Sequence, residues 1–266
     1  MSEAILLWIL GGGLLQEREA ITVILQARMS STRLPGKVLS ILNGQPMIYW
    51  QIERIRKVQL IDRVIIATSV DSSDDQLVEV ANNLGFEVFR GDLNDVYDRY
   101  LKCIELNNIK GIIVRLTADC PLVMPELLTQ MLEIFLIKQP DYLSNTIKPT
   151  FPDGLDIEIC TVESFRELQK HTLTTVEREH VTFGFHHRQE IFRCINHLSS
   201  MDNSHLRWTV DYPEDLLFVR QVYSAFVGSE TIFDMTSVML AVAKLKLENT
   251  IPGSMRNIAL QARIEE

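Results

Sequence analysis

From Ile21 onward the chain alternates short, β-branched apolar runs with longer stretches in which apolar residues recur every three or four positions. That is the pattern of strands followed by amphipathic helices. Strands are expected at Ile21–Gln26, Arg63–Thr68, Glu87–Phe89 and Gly111–Leu116, and helices at Pro46–Lys57, Asp74–Leu84, Asp95–Asn107 and Pro125–Ile137. Each helix follows a strand, as right-handed crossovers between parallel strands require. The fold class read from this is α/β, a mostly parallel sheet flanked by helices. After Pro140 the pattern loosens into strand-like runs at Leu155–Ile159, Ile191–Ile195 and Leu206–Val210, with helices near Val162–Lys170 and Glu177–His187. This half is expected to complete and cover the sheet. Helices over Pro213–Phe226 and Asp234–Leu245 close the pattern, the first opening on a proline with Glu214 and Asp215 in its first turn, where acidic groups suit the helix dipole. No linker divides the chain, so residues 21–266 read as one domain with C-terminal helices.

Residues 1–20 form a separate tail, expected to be peripheral. The apolar run Ala4–Leu15 is broken by three glycines and is too short to span a bilayer. Glu3 stands where a secretory signal carries basic residues, so neither export nor a membrane span is indicated. Composition narrows the picture further. With 46% hydrophobic and 23% charged residues the chain can bury a sizeable core, and a net charge of -9 argues against broad contact with nucleic acid. Four cysteines lie far apart without a CxxC pair, which signals neither a zinc site nor a disulfide framework and suits the cytoplasm.

Any phosphate chemistry in so acidic a chain rests on a local basic cluster, and there is one. Between Ala20 and Ile52 none of the 35 acidic residues occurs, while Arg28, Arg33 and Lys37 do. They fall in the run Gln26-Ala27-Arg28-Met29-Ser30-Ser31-Thr32-Arg33-Leu34-Pro35-Gly36-Lys37, directly after the first expected strand. Open α/β sheets bind ligands at the carboxyl ends of their strands. Small and hydroxyl residues such as Ala27, Ser30 and Ser31 let backbone N–H groups approach phosphate oxygens, while arginine offers a forked donor and lysine a point charge. A solvated basic loop would share this composition. The glycines of a Walker A loop or of a dinucleotide fingerprint are missing.

The run ARMSSTRLPGK, with GQPMI downstream, resembles the signature of the cytidylyltransferases that activate sugar acids, and most closely the spore coat polysaccharide biosynthesis protein F group. VRLTADCPLV (114–123), FPDGLDIEI (151–159), EREHVT (177–182) and HLRWTVDYPED (205–215) resemble further blocks of that group in the same order. The resemblance implies a Rossmann-like nucleotidyltransferase fold, CTP as donor, a small sugar acceptor and magnesium as cofactor. A second copy of the chain is the one macromolecular partner left open.

On that reading Arg28, Arg33 and Lys37 are the catalytic candidates, stabilising the leaving pyrophosphate. Asp119, after the strand Gly111–Leu116, and Asp211, after Leu206–Val210, match the family's metal aspartates, although either alone would also suit a helix cap. Ala118 departs from the family's usual glycine. Gln26 with the loop residues, Thr68 and Ser69 at the end of the second strand, and Arg99 are the nucleotide-binding candidates. For Arg99 an amphipathic helix of Val96, Tyr100, Cys103 and Ile104 explains the same stretch. Strand alternation puts Asp156 and Glu158 on one face. With Asp153, and with Glu177, Arg178 and His180 of the EREHVT block, they are the acceptor candidates. An ordinary half-exposed strand and surface ion pairs remain alternatives. Rival readings are a transferase using another nucleotide, a glycosyltransferase, and a non-catalytic nucleotide-binding relative. The retained pyrophosphate cradle speaks against the second, and the joint presence of both aspartates and all three basic residues against the third.

Overall fold

Ile21, Val23, Ile24 and Leu25 of the first strand have no solvent-exposed surface, which places that strand at the centre of the molecule with both faces covered. The computed structural model describes residues 18–171 and 173–247; the apolar run Ala4–Leu15 and the chain beyond residue 247 lie outside them. In chain order the elements are β1 (Ile21–Gln26), a 3-10 turn (Lys37–Leu39), β2 (Ile41–Leu42), β3 (Gln45–Pro46), α1 (Met47–Ile55), β4 (Arg63–Ser69), α2 (Asp75–Asn83), β5 (Glu87–Gly91), α3 (Val96–Leu106), β6 (Ile112–Thr117) and α4 (Pro125–Lys138). The second half adds β7 (Tyr142–Ser144), β8 (Glu158–Thr161), α5 (Val162–Leu168), α6 (Thr175–Glu179), α7 (Phe183–His186), β9 (Cys194–Asn196), α8 (Pro213–Ser224) and α9 (Met235–Leu245).

The main sheet has seven strands in the order β5-β4-β1-β6-β8-β7-β9. β1 pairs in parallel with both β4 and β6, and β4 with β5, while β8 runs antiparallel to both β6 and β7. The expected α/β class with a mostly parallel mixed sheet is borne out. Strand alternation divides the core into two layers. Val23 and Leu25 face a layer with Ile48 and Ile52 of α1 and Leu128 and Met131 of α4, whereas Ile24 faces one with Tyr100 and Ile104 of α3 and Phe165 of α5. No helix among the described residues is long and apolar enough to cross a membrane.

The first half follows the expected boundaries to within three residues, and the second half departs from them. Leu206–Val210 is no strand: it makes an isolated bridge between Arg207 and Asp153, and its amides serve loops, Trp208 N–H reaching Asp153 O at 2.6 Å and Val210 N–H reaching Asp119 O at 2.8 Å. β8 begins at Glu158 rather than Leu155. The helix expected over Glu177–His187 is two short ones, because the buried Val181 between them takes a φ of 56°, which no helix accommodates. The short strand β7 and the β2–β3 hairpin, turned at Asn43 and Gly44 with φ of 42° and 82°, were not anticipated.

Gly154 shows how closely the two loops of the second half approach. Its φ is 105°, and a Cβ there would meet Thr209 N at 2.5 Å and the Trp208 carbonyl carbon at 2.6 Å. Gly154→Ala is therefore expected to cost at least about 2 kcal/mol in urea denaturation. Gly85→Ala, at φ 72° with no atom near its added methyl, should cost only about 1 kcal/mol.

Candidate active site

The chain leaves β1 toward β4 and β5 on one side and returns as β6 on the other, so a crevice opens where the direction reverses, at the carboxyl ends of β1 and β6. Gln26 and Thr117 stand in register there, and Ala118 N–H donates to Gln26 O at 2.8 Å. The basic loop leaves β1 at this point and folds back on itself: the Met29 carbonyl accepts the N–H of both Ser31 and Gly36 at 2.9 Å. A buried carboxylate pins it. Asp74 Oδ1 accepts Met29 N–H at 2.7 Å, while Oδ2 accepts Ser69 N–H at 3.0 Å and the Ser69 hydroxyl.

Gly36, at φ 71°, turns the chain into the 3-10 helix that Lys37 opens. Lys37 is only 7% exposed. Its Nζ lies 3.0 Å from Asp119 Oδ2, 2.9 Å from Asp211 Oδ1 and 2.7 Å from the Val210 carbonyl oxygen. Three segments distant in sequence thus meet at one nitrogen. Arg33 Nη2 also reaches Asp211 Oδ1, at 2.8 Å, and its guanidinium lies 5.0 Å from the centre of the Tyr212 ring. Burial works against the charge on Asp119, but the Lys37 ammonium, with hydrogen bonds from Thr117, Lys37 and Cys120, outweighs it and lowers the carboxyl to about 2. Burial likewise opposes the Lys37 charge, and the two aspartates more than restore it, raising its pKa above the ordinary lysine value.

Arg207 holds the other side of this cluster. Its Nη2 donates to Asp211 Oδ2 at 3.0 Å, its Nε to Asp215 Oδ1 at 2.9 Å, and its Nη1 to Asp153 Oδ2 at 3.2 Å. Asp215 Oδ2 in turn accepts the N–H of Asp211 and Tyr212 at the start of α8. Arg207 was not read from the sequence, and Asp215 was read only as an acid suited to the helix dipole, although both lie in a quoted block; their spacing to Asp211, four residues either side, is the signal that would have found them as site residues. Asp211 therefore owes its position to a cap and an arginine fork, not to the end of a strand.

The other candidates divide between two places. Asp153 and Asp156 stand close enough to Cys120, beside Asp119, that after burial and Asp119 itself they help push its thiol pKa up. At the end of β4 and on α3, Thr68, Ser69 and Arg99 have no exposed surface. Arg99 donates Nε to Asp92 O at 2.7 Å and Nη2 to Leu93 O at 2.8 Å, whereas its Nη1 and the Thr68 hydroxyl are buried without a hydrogen-bond partner. Arg28 is exposed.

Glu158 sits inside the sheet, paired with Arg115 and accepting from the Tyr142 and Thr182 hydroxyls, and Arg115 Nη2 reaches Gln26 Oε1 at 3.2 Å. Arg178 donates to Asp95 at 2.8 Å, and the His180 ring lies edge-on to Phe183. Glu177 completes the capping box of α6 and pairs with Arg188. Several of these carboxylates thus have protein partners already.

Asp119 and Asp211 are hard oxygen donors converging on one cation-sized point. Among the described residues no group of three or more His, Cys, Asp or Glu side chains could hold a metal. A pair of carboxylates fits an ion whose remaining ligands are phosphate oxygens and water, as magnesium prefers.

The Glu177 carboxyl titrates near 2: burial raises it, but Arg188, the Thr174 amide and His187 pull it well below the usual carboxylate range. Because the folded value lies below the unfolded one, its stabilisation is complete above about pH 4.5 and fades as pH falls toward 2. Glu177→Gln should cost about 1–3 kcal/mol in urea melts at pH 7, with the difference from wild type shrinking steadily below pH 4.5.

Comparison with known proteins agrees with this geometry. A family model described as cytidylyltransferase matches residues 22–212. The spore coat polysaccharide biosynthesis protein SpsF of Bacillus subtilis is 33% identical over 211 residues, 76% of this chain and 86% of that protein. A cytidylyltransferase structure from Leptospira borgpetersenii superposes with a TM-score of 0.82 at 32% identity, covering 88% of this chain and all of the other. A CMP:2-keto-3-deoxy-manno-octonic acid synthetase complexed with CTP shares the fold, with a TM-score of 0.58 at 16% identity over 78% of this chain and 99% of that one. With its crevice, its basic loop and its family blocks in one chain, this protein belongs to the cytidylyltransferase family.

Proposed function

We propose that the protein transfers CMP from CTP to a sugar of the sugar-acid kind, releases pyrophosphate, and works in the cytoplasm to supply a surface polysaccharide or glycan. The observation that carries this reading is the meeting of Lys37, Asp119 and Asp211 beneath a basic loop at the switch point of the sheet. Its similarity to a spore coat polysaccharide biosynthesis protein and to a synthetase complexed with CTP supports the donor and the product class.

The acceptor oxygen attacks the α-phosphorus of CTP in line, forming the new O–P bond as the bond to pyrophosphate breaks. Arg28, Arg33 and Lys37, with backbone N–H groups of the loop that have no acceptor among the described residues, take up charge on the leaving pyrophosphate. Asp119 and Asp211 would hold magnesium, which would supply positive charge at the phosphates. Arg207, through its fork on Asp211 and Asp215, keeps the second carboxylate oriented. Thr68, Ser69 and Arg99, without exposed surface, support the nucleotide side from behind, as the buried Glu158 and Glu177 support the other; Asp153, Asp156, Arg178 and His180, which keep some surface, form the acceptor side. The acceptor hydroxyl would be activated by a metal held at Asp119 and Asp211, and its proton would leave to solvent water without a dedicated side-chain base.

Two experiments test this reading. Pyrophosphate release from CTP with an accepted sugar acid at saturating magnesium should fall at least about a hundredfold in Asp119→Ala and Asp211→Ala with folding preserved; a near-normal rate in either removes that residue from the site. In thermal-shift assays with magnesium, CTP should stabilise the protein more than GTP or ATP, since a pocket that hydrogen-bonds cytosine leaves polar groups unpaired against a purine. Equal stabilisation by GTP excludes CTP as the preferred donor.

A further inference from the structure

The two aspartates that would share a metal ion are already bridged by a cation of the chain itself. Lys37 donates its three ammonium protons to Asp119 Oδ2, Asp211 Oδ1 and Val210 O, at 3.0, 2.9 and 2.7 Å. Asp211 Oδ1 also receives Arg33 Nη2 at 2.8 Å, whereas Oδ2 faces Arg207 at 3.0 Å. One carboxylate oxygen therefore carries the two loop cations that a triphosphate needs. Its other oxygen is held by an arginine that is anchored separately on Asp215 and Asp153.

We propose that Lys37 is the resident counter-ion of the aspartate pair, and that a triphosphate draws Lys37 and Arg33 away from it, so that nucleotide and divalent cation bind as a coupled pair. This rests on the nucleotidyltransferase reading above. A divalent ion arriving alone meets an ammonium between its two carboxylates. A triphosphate arriving alone takes that ammonium away and leaves Asp119, and Asp211 with only its Arg207 fork, facing each other and the phosphates. Each ligand removes the obstacle to the other, which is a coupling free energy and acts equally in both directions.

The fold permits the exchange without rearranging the site. Lys37 carries its charge on a flexible four-carbon stem, and the side chain of Arg33 is 48% exposed. Asp211 keeps its orientation throughout, because Arg207 and the Asp215 cap do not belong to the loop.

The test is Mn2+ binding to the full chain by titration calorimetry, with and without CTP and in the absence of acceptor, for wild type, Lys37→Met and Arg33→Gln. Wild type should bind Mn2+ at least about tenfold more tightly with CTP than without. Lys37→Met should bind Mn2+ alone at least about tenfold more tightly than wild type, with a larger rise in melting temperature on adding Mn2+, and should lose most of the gain from CTP. Arg33→Gln, which removes an exposed group, should shift metal-only affinity in the same direction by less; it decides the matter if Lys37→Met does not fold. Metal-only affinity that is unchanged or weaker in the deciding variant overturns the proposal while leaving the metal assignment intact. Absence of Mn2+ binding to wild type even with CTP overturns both.

Discussion

The site depends on one topological constraint: β1 is flanked on both sides by parallel strands that the chain reaches in opposite directions. The crevice this leaves at the carboxyl ends needs no special residues to form. It places the exit of β1, which becomes the basic loop, beside the exit of β6, which becomes Asp119. The apolar run Ile21–Leu25 supports that arrangement by packing both faces of the central strand, so the loop leaves from a strand buried on both sides.

Charge is organised around this crevice in layers. Lys37 joins the two aspartates, Arg207 joins Asp211 to Asp215 and Asp153, and Asp74 ties the loop backbone to β4. Buried ions of this kind are costly unless each is paired and hydrogen-bonded, and here each carboxylate meets at least one cation or two donors. Glu158 and Arg115 extend the network under the sheet, from Gln26 at the loop to Tyr142 and, through its hydroxyl, to His186 in the second half. Gln26 at the basic loop is thereby linked to His186 in the second half by a continuous polar chain through the core.

A different device secures the C-terminal helices. Arg54 is wholly buried and forms no ion pair with a carboxylate among the described residues; its guanidinium donates to the carbonyls of Val123, Glu230 and Phe233 and lies 3.7 Å from the centre of the Phe233 ring. Burial lowers its pKa to about 10, which leaves it charged at neutral pH. Neutral carbonyls suffice because the arginine fork matches three loop ends at once, and in doing so it clamps the segment between α8 and α9 against α1 and the loop before α4.

The strand–helix alternation before Pro140 was legible because each element there is long enough to show its own period, and an acid-free stretch containing three basic residues marked the loop. The family blocks carried the two aspartates. What lay beyond reach of the sequence were contacts between segments that show no local pattern. Leu206–Val210 has the composition of a strand but gives its hydrogen bonds to two loops, because Gly154 lets the backbone of Trp208 and Thr209 approach where any side chain would collide. Glu158 alternates like a surface residue, yet antiparallel pairing of β8 with β6 turns it onto Arg115 inside the core. The sequence by itself determined the class of fold, and it marked the basic loop and the two aspartates that Lys37 joins. Only the tertiary structure decided that Lys37 lies between those carboxylates and that Arg207 holds one of them, since charges from residues 37, 119, 207 and 211 meet only once β1 and β6 lie side by side and the segment 206–211 packs against their ends.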